Sequence, residues 1–322
     1  MVTKINCYIF LIVIKKIILF ICLIIFLNNS FAETLNYKDL DKLSKINSFV
    51  DEKGKSYPIE KIENKKNSIV IIYNHGSTND HKKDSCKKNP SPGYIWQGAV
   101  VPAILKLHNQ TIKDNKILIY RVCSGVKGMS LKNQKKYKKQ LKENGKIELV
   151  DEFKNLKRQK IILNEVEKLF SLGFENIILS GYSAGAWASL NLQSRFPEKI
   201  KGTIAINPAF AGKKHEWRKK YPEWGAFRKM QVDIMNNSQT LNALVFAHNK
   251  DKWEDQETLS FLKNFKDLNF VDYSDLKPTS CTWADVDRKM ESDKGHSIPQ
   301  SKCFTKYVEK NNYFINYIET LF

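Results

Sequence analysis

A series of short, almost wholly apolar runs, separated by stretches of helical spacing, constrains this chain more than any other feature. Ser68-Ile-Val-Ile-Ile-Tyr73, Lys116–Val122, Asn176–Ser180, Gly202–Ile206 and Ala243–Ala247 are apolar at nearly every position. A strand that is apolar on both sides, not on alternate residues, is buried on both faces. Phe270–Tyr273 reads as a further strand. Between the runs, apolar residues recur at helical spacing over 94–108 (Trp96, Val100, Ile104, Leu107), 151–172 (Phe153, Leu156, Ile161, Val166, Leu169) and 184–195. The last twenty residues, Cys303–Phe322, read as one helix, and 33–67 as a short strand or hairpin lead-in. Strands alternating with helices predict an α/β protein with a mostly parallel sheet covered on both faces. In such sheets ligands bind beyond the carboxyl ends of the strands, so the residues after each run are the ones to read for chemistry.

Residues 1–32 are of another kind. Lys4, Lys15 and Lys16 carry positive charge with no acid, Ile17–Leu27 is apolar throughout, and Ser30-Phe31-Ala32 places small residues at −3 and −1. This is the layout of a secretory signal peptide cleaved before Glu33, with no stable membrane anchor left after cleavage. Read as a single uncleaved span, Tyr8–Leu27 would hold Lys15 and Lys16 near mid-membrane, which is costly. The domain organisation expected is therefore 1–32 as signal and 33–322 as one domain, periplasmic or secreted. Export leaves Cys86, Cys123, Cys281 and Cys303, an even set that favours disulfides in an oxidising compartment, with the pairing open. No C-x-x-C spacing occurs, so no metal site is expected.

The third run leads into Gly181-Tyr182-Ser183-Ala184-Gly185 and then a helix. A sharp strand-to-helix turn crowds its neighbours, which demands small residues around the serine and sets its hydroxyl above the sheet at a helix N-terminus. A serine needs a base, and His296, after Gly295 in a polar loop before the last helix, is preferred over His248 at the end of a strand. The base needs an orienting acid, and Asp251 stands just past the fifth run, with Glu254, Asp255 and Asp272 as alternatives. The order Ser183, Asp251, His296 is that of one known class of serine hydrolases. Asn74-His75-Gly76-Ser77 follows the first run. Gly76 permits close backbone approach, and the N–H groups of Ser77 and Ala184 are the expected oxyanion donors. His75 is read as a loop residue shaping that turn.

Together these segments resemble the α/β-hydrolase superfamily, and look most like its dienelactone-hydrolase-like and secreted acyl-esterase branches. The resemblance is carried by Tyr73-Asn-His-Gly76, Gly181–Gly185, Ala205-Ile-Asn-Pro208, His248-Asn-Lys-Asp251 and Gly295-His296, and spans about residues 65–322. It implies the α/β-hydrolase fold with a mostly parallel eight-stranded sheet, a Ser–His–Asp triad, and hydrolysis of acyl bonds with no cofactor. Dienelactone hydrolases proper have Cys as nucleophile; Ser183 here favours a serine esterase. Lys252-Trp253 after Asp251 departs from the apolar residues and Pro that the family often has there. The fold also suggests the pairs Cys86–Cys123 and Cys281–Cys303, the second bracketing the His296 loop. Two segments extend the core pattern: 127–146, and 209–239 with Trp217, Tyr221, Trp224 and Phe227, expected as a small helical lid that contacts an apolar or aromatic substrate group.

The expected function is an exported serine hydrolase that cleaves carboxylic esters, of a small-molecule or acyl-ester substrate, through an acyl-enzyme. Two other readings are a peptidase of the same fold and a hydrolase-like scaffold whose basic surface binds polyanionic envelope components. No phosphate loop, dinucleotide glycine fingerprint or H-E-x-x-H pair occurs. The net charge of +19 points first to nucleic acid or a membrane surface. Only Arg121, Arg158, Arg195, Arg218, Arg228 and Arg288 among the 53 basic residues are arginine, however. Residue-specific phosphate recognition prefers arginine forks, so the lysine excess reads as compositional bias and no specific nucleic-acid partner is expected.

Overall fold

Each apolar run forms a strand, because only the interior of a covered sheet hides both of its faces. The structure, a computed structural model, describes residues 47–77, 100–124, 130–147, 153–238, 240–284, 288–290 and 295–322. The expected signal segment 1–32 and Cys86 lie outside the described residues, as does the 94–99 half of the first expected helix. In chain order the strands and helices are β1 (Ser48–Val50), β2 (Ser56–Tyr57), β3 (Ser68–Asn74), α1 (Pro102–Leu105), β4 (Thr111–Ile112), β5 (Asn115–Val122), α2 (Leu131–Asn144), α3 (Lys154–Ser171), β6 (Asn176–Tyr182), α4 (Ala184–Arg195), β7 (Gly202–Ile206), α5 (Pro222–Asn236), β8 (Ala243–Ala247), β9 (Leu268–Asp272), α6 (Lys302–Lys310) and α7 (Tyr313–Thr320).

The strands form one nine-stranded sheet in the order β2-β1-β5-β3-β6-β7-β8-β9, with β4 paired to β5 beside this path. Neighbours from β5 through β9 are parallel, and β1, β2 and β4 pair antiparallel at one side. The eight-strand path of a mostly parallel sheet, with helices on both faces, is the α/β-hydrolase fold. Alternate residues of each strand feed opposite cores. Ile204, Ile206, Leu244 and Phe246 join Ile104, Phe304 and Phe314 on one face. Ala205, Ala243, Val245 and Ala247 join Tyr137, Trp187, Leu190 and Phe227 on the other.

Two expectations on helices are corrected. The described part of 94–108 holds only the short α1, which opens at Pro102. The last twenty residues form two helices, because Asn312 takes a left-handed φ of 51° between them. That conformation ends a helix and is tolerated best by Gly and Asn. Among the described residues no helix is long and apolar enough to cross a membrane, and no group of His, Cys, Asp or Glu could hold a metal ion.

Candidate active site

The strand-to-helix turn after β6 is as tight as its small residues require. Ser183 sits at φ 56° and ψ −123°, a strained conformation for a residue with a side chain. It is held there because Ser183 N–H donates to Ile206 O (3.0 Å), while its own carbonyl accepts from Trp187 N and Ala209 N (3.0 and 3.1 Å). A Cβ on Gly185 would collide with the backbone carbonyls of Asn74 and His75. One on Gly181 would meet the backbone of Gly185. The glycines therefore let the chain turn back against β3 and lift the serine.

His296 lies in a short helical turn, Gly295–Gln300, and reaches over the sheet. Its Nε2 is 3.0 Å from Ser183 Oγ, and its Nδ1 is 2.6 Å from Asp251 Oδ2. A carboxylate only accepts, so Nδ1 carries the proton and Nε2 is left to accept from the serine hydroxyl. The second oxygen of Asp251 accepts from Trp253 N–H at 2.9 Å. The His296 carbonyl accepts from Tyr182 O–H (2.6 Å) and Asn207 Nδ2 (3.2 Å), and Tyr273 O–H in turn donates to Asn207 Oδ1 (2.7 Å). The motif residues Tyr182 and Asn207 thus clamp the histidine loop. The other acids are occupied elsewhere: Glu254 faces Arg228, Asp255 faces Lys214, and Asp272 accepts from Ser274 N–H. His248 is buried with both ring nitrogens on backbone groups, Lys250 N and Leu276 O. It supports the loop from below, since a Cβ on Gly295 would run into its ring.

Residues 74–77 pass beside the serine: a Cβ on Gly76 would lie 3.3 Å from Ser183 Cβ. His75 is fully buried, accepts from Ser124 N–H through Nε2 (3.1 Å), and so donates through Nδ1 to Gly76 O (2.6 Å). Burial, then the nearby Arg158 charge, pushes its pKa down to about 3, so it stays neutral. Arg158, on α3, donates to the carbonyls of His75 and Gly76. Gly76 C=O and Ser77 N–H belong to one planar peptide unit and point opposite ways. The groups that hold the carbonyl therefore fix the direction of the Ser77 N–H. Lys154 Nζ donates to Ser77 Oγ at 2.9 Å, and burial with the Arg158 charge lowers its pKa to about 8.

Beside Ser183 opens a cavity of ≈ 290 Å³. Ser77 and Ala184 line it, and Phe153, Phe210 and Trp224 give the lining its aromatic part. Within the expected lid, α5 (Pro222–Asn236) supplies Trp224, on which Tyr221 stacks at 4.2 Å. Phe227 packs into the core against Phe153, and Trp217 covers Arg228. Arg228 grips Glu254 with two bonds (2.8 and 2.9 Å), joining α5 to the loop that bears Asp251.

Cys281 and Cys303 form a disulfide, with Cα atoms 5.6 Å apart, that brackets the His296 loop. Cys123 is disulfide-bonded, and its expected partner Cys86 lies outside the described residues. Arg158, Asn155 and Trp253 escaped the sequence reading. The first two carried a signal: Asn155, Arg158 and Gln159 fall in phase with the buried stripe of α3, where apolar residues belong.

No family model matches the chain, and no curated protein matches it. Solved structures are similar at low identity. A Bacteroides ovatus protein named for dipeptidyl aminopeptidase IV is 15% identical with a TM-score of 0.47, covering 85% of this chain and 35% of its own. This chain thus spans about a third of that protein. A Paleococcus ferrophilus monoacylglycerol lipase is 11% identical with a TM-score of 0.43, covering 86% and 98%. An Agrobacterium tumefaciens S-formylglutathione hydrolase is 14% identical with a TM-score of 0.41, covering 77% and 84%. The strand order and the turn at Ser183 carry the fold assignment.

Proposed function

We propose that this chain, an α/β hydrolase by fold, is an exported serine hydrolase that cleaves carboxylic esters. One observation carries the reading: the unbroken line from Asp251 Oδ2 through His296 to Ser183 Oγ, at 2.6 and 3.0 Å. Ser183 Oγ attacks the acyl carbon while His296 Nε2 takes its proton. The imidazolium is held by Asp251, then gives the proton to the departing alkoxide. Water attacks the acyl-enzyme, His296 accepts a proton from it, and the acid leaves with the serine restored. The N–H groups of Ser77 and Ala184 receive the negative charge that develops on the carbonyl oxygen; losing one such donor raises a barrier by about 3 kcal/mol. Export through 1–32 is supported by the Cys281–Cys303 disulfide, which persists in oxidising compartments.

The test is covalent labelling with a fluorophosphonate probe. The wild type is expected to be labelled and Ser183→Ala not. Parallel assays on p-nitrophenyl acetate and an acyl p-nitroanilide separate ester from amide cleavage, and the ester is expected to be the substrate. Absence of Ser183-dependent labelling would overturn the reading.

A further inference from the structure

We infer that the cavity beside Ser183 receives an anionic group of the substrate, held by Asn155 Nδ2 and the Arg158 guanidinium at the N-terminal turn of α3. The inference rests on the hydrolase reading and narrows its substrate to esters that carry a carboxylate, or a phosphate or sulfate of the same chemistry.

The polar part of the cavity lining is suited to an anion. Asn155, Arg158 and Lys154 all line the cavity, as do Ser77 and Ala184. Asn155 is 3% exposed. Its Oδ1 accepts from Gln159 Nε2 at 2.8 Å, while its Nδ2, although buried, has no partner among the described residues. A buried donor left unmade is unfavourable, and such groups mark a missing acceptor. Arg158 is 1% exposed and, among the described residues, bonds the carbonyls of His75 and Gly76. Carbonyl dipoles do not neutralise a guanidinium, and no carboxylate among the described residues pairs with it. The helix itself adds to the same field: α3 has 18 residues, no side-chain cap at its N-terminus and no acid in its first turn. The positive end of its dipole therefore stands at the cavity.

Among the described residues the cavity lining also includes the acid Glu216, from the 209–239 segment. One of its oxygens is engaged by Lys213 N–H at 2.7 Å. A clamp on the oxyanion loop would account for Arg158 alone, but not for the unpaired Asn155 amide or the uncapped helix. With Phe153, Phe210 and Trp224 in the same lining, the fitting ligand has an apolar body and one anionic end. A carboxylate matches an amide and a guanidinium fork side by side.

Matched ester pairs test this, with each kcat/KM divided by the alkaline hydrolysis rate of the same ester. On the acyl side, the p-nitrophenyl monoester of glutaric acid is compared with p-nitrophenyl valerate. On the alcohol side, 4-acetoxybenzoate is compared with 4-methylphenyl acetate, and 4-acetoxyphenyl phosphate distinguishes phosphate from carboxylate. In the wild type at least one anionic ester is expected to exceed its neutral partner by about tenfold or more. Asn155→Asp is expected to bring that ratio back to near one, and Asn155→Leu serves if the first variant does not fold. Wild-type ratios near one, with Ser183 still labelled by fluorophosphonate, would overturn the anionic site and leave the hydrolase reading standing. A preference that survives both variants unchanged would also overturn it. Loss of Ser183 labelling in the wild type would instead sink the hydrolase reading, and this one with it.

Discussion

The indole of Trp253 stacks on the imidazole of His296, with ring centroids 4.4 Å apart and 26° between the planes. The same residue donates its backbone N–H to Asp251. One residue thus touches both partners of the serine, by its side chain on one and its main chain on the other. The position is one where the sequence departs from the family it resembles.

In the proposed reaction His296 becomes an imidazolium at each step, and an aromatic face stabilises a cation by about 1 kcal/mol. Trp253→Leu is therefore expected to lower kcat about fivefold with KM little changed. Trp253→Phe keeps the face and is expected to retain most of the rate. Steady-state kinetics on p-nitrophenyl acetate, alongside thermal melts of each variant, check this. Equal losses in Leu and Phe would refute a role for the ring.

The turn at Ser183 leaves no space for a methyl group on Gly185, whose neighbours there are backbone carbonyls. Backbone cannot swing aside as a side chain does. Gly185→Ala is expected to destabilise the fold by about 2 kcal/mol or more and to abolish Ser183 labelling. Urea unfolding measures the first and the fluorophosphonate probe the second.

His75 gives stability a pH dependence. Burial, then Arg158, lowers its pKa in the fold from 6.5 to about 3. The unfolded chain takes up a proton near its ordinary value while the folded chain does not. The contribution is therefore fully present above pH 6.5 and is lost as pH falls toward 3. Between pH 7 and pH 4 the loss is on the order of 3 kcal/mol. Urea midpoints across that range should fall more steeply for the wild type than for His75→Asn.

The Cys281–Cys303 bridge spans 22 positions of sequence. Closing a loop of that size contributes about 3 kcal/mol in the chain-entropy model. Reduction, or the Cys281→Ser/Cys303→Ser pair, is expected to lower stability by about that amount. It should also lower kcat, since His296 lies inside the loop. Intact-mass measurement with and without reductant verifies the bond, and chemical denaturation gives the cost.

The central strands were legible because burial on both faces leaves runs with few polar residues, a pattern few other elements share. The serine turn was legible because its crowding is written locally, in the glycines on either side of Tyr182-Ser183-Ala184. The acid was harder. Asp251, Glu254 and Asp255 follow β8 and Asp272 ends β9, and what distinguishes them is their partners. Glu254 answers to Arg228, Asp255 to Lys214, and Asp251 to His296, all distant in sequence. Residues joined only by tertiary contact leave no local pattern. Trp253 and Arg158 belong to that class, and so does the turn of chain at Asn312, whose left-handed φ interrupts an otherwise helical spacing.

The bond between Arg228 and Glu254 has a consequence for how such a protein can change. One end belongs to the helix that walls the cavity, and the other to the loop that bears Asp251. The helix is therefore not an exchangeable module. A graft that replaces 209–239 to alter selectivity must bring an arginine to the same spot, or it strands a buried carboxylate three residues from the catalytic candidate. Evolution along this lineage is bound by the same coupling: the wall of the cavity and the acid loop must drift together.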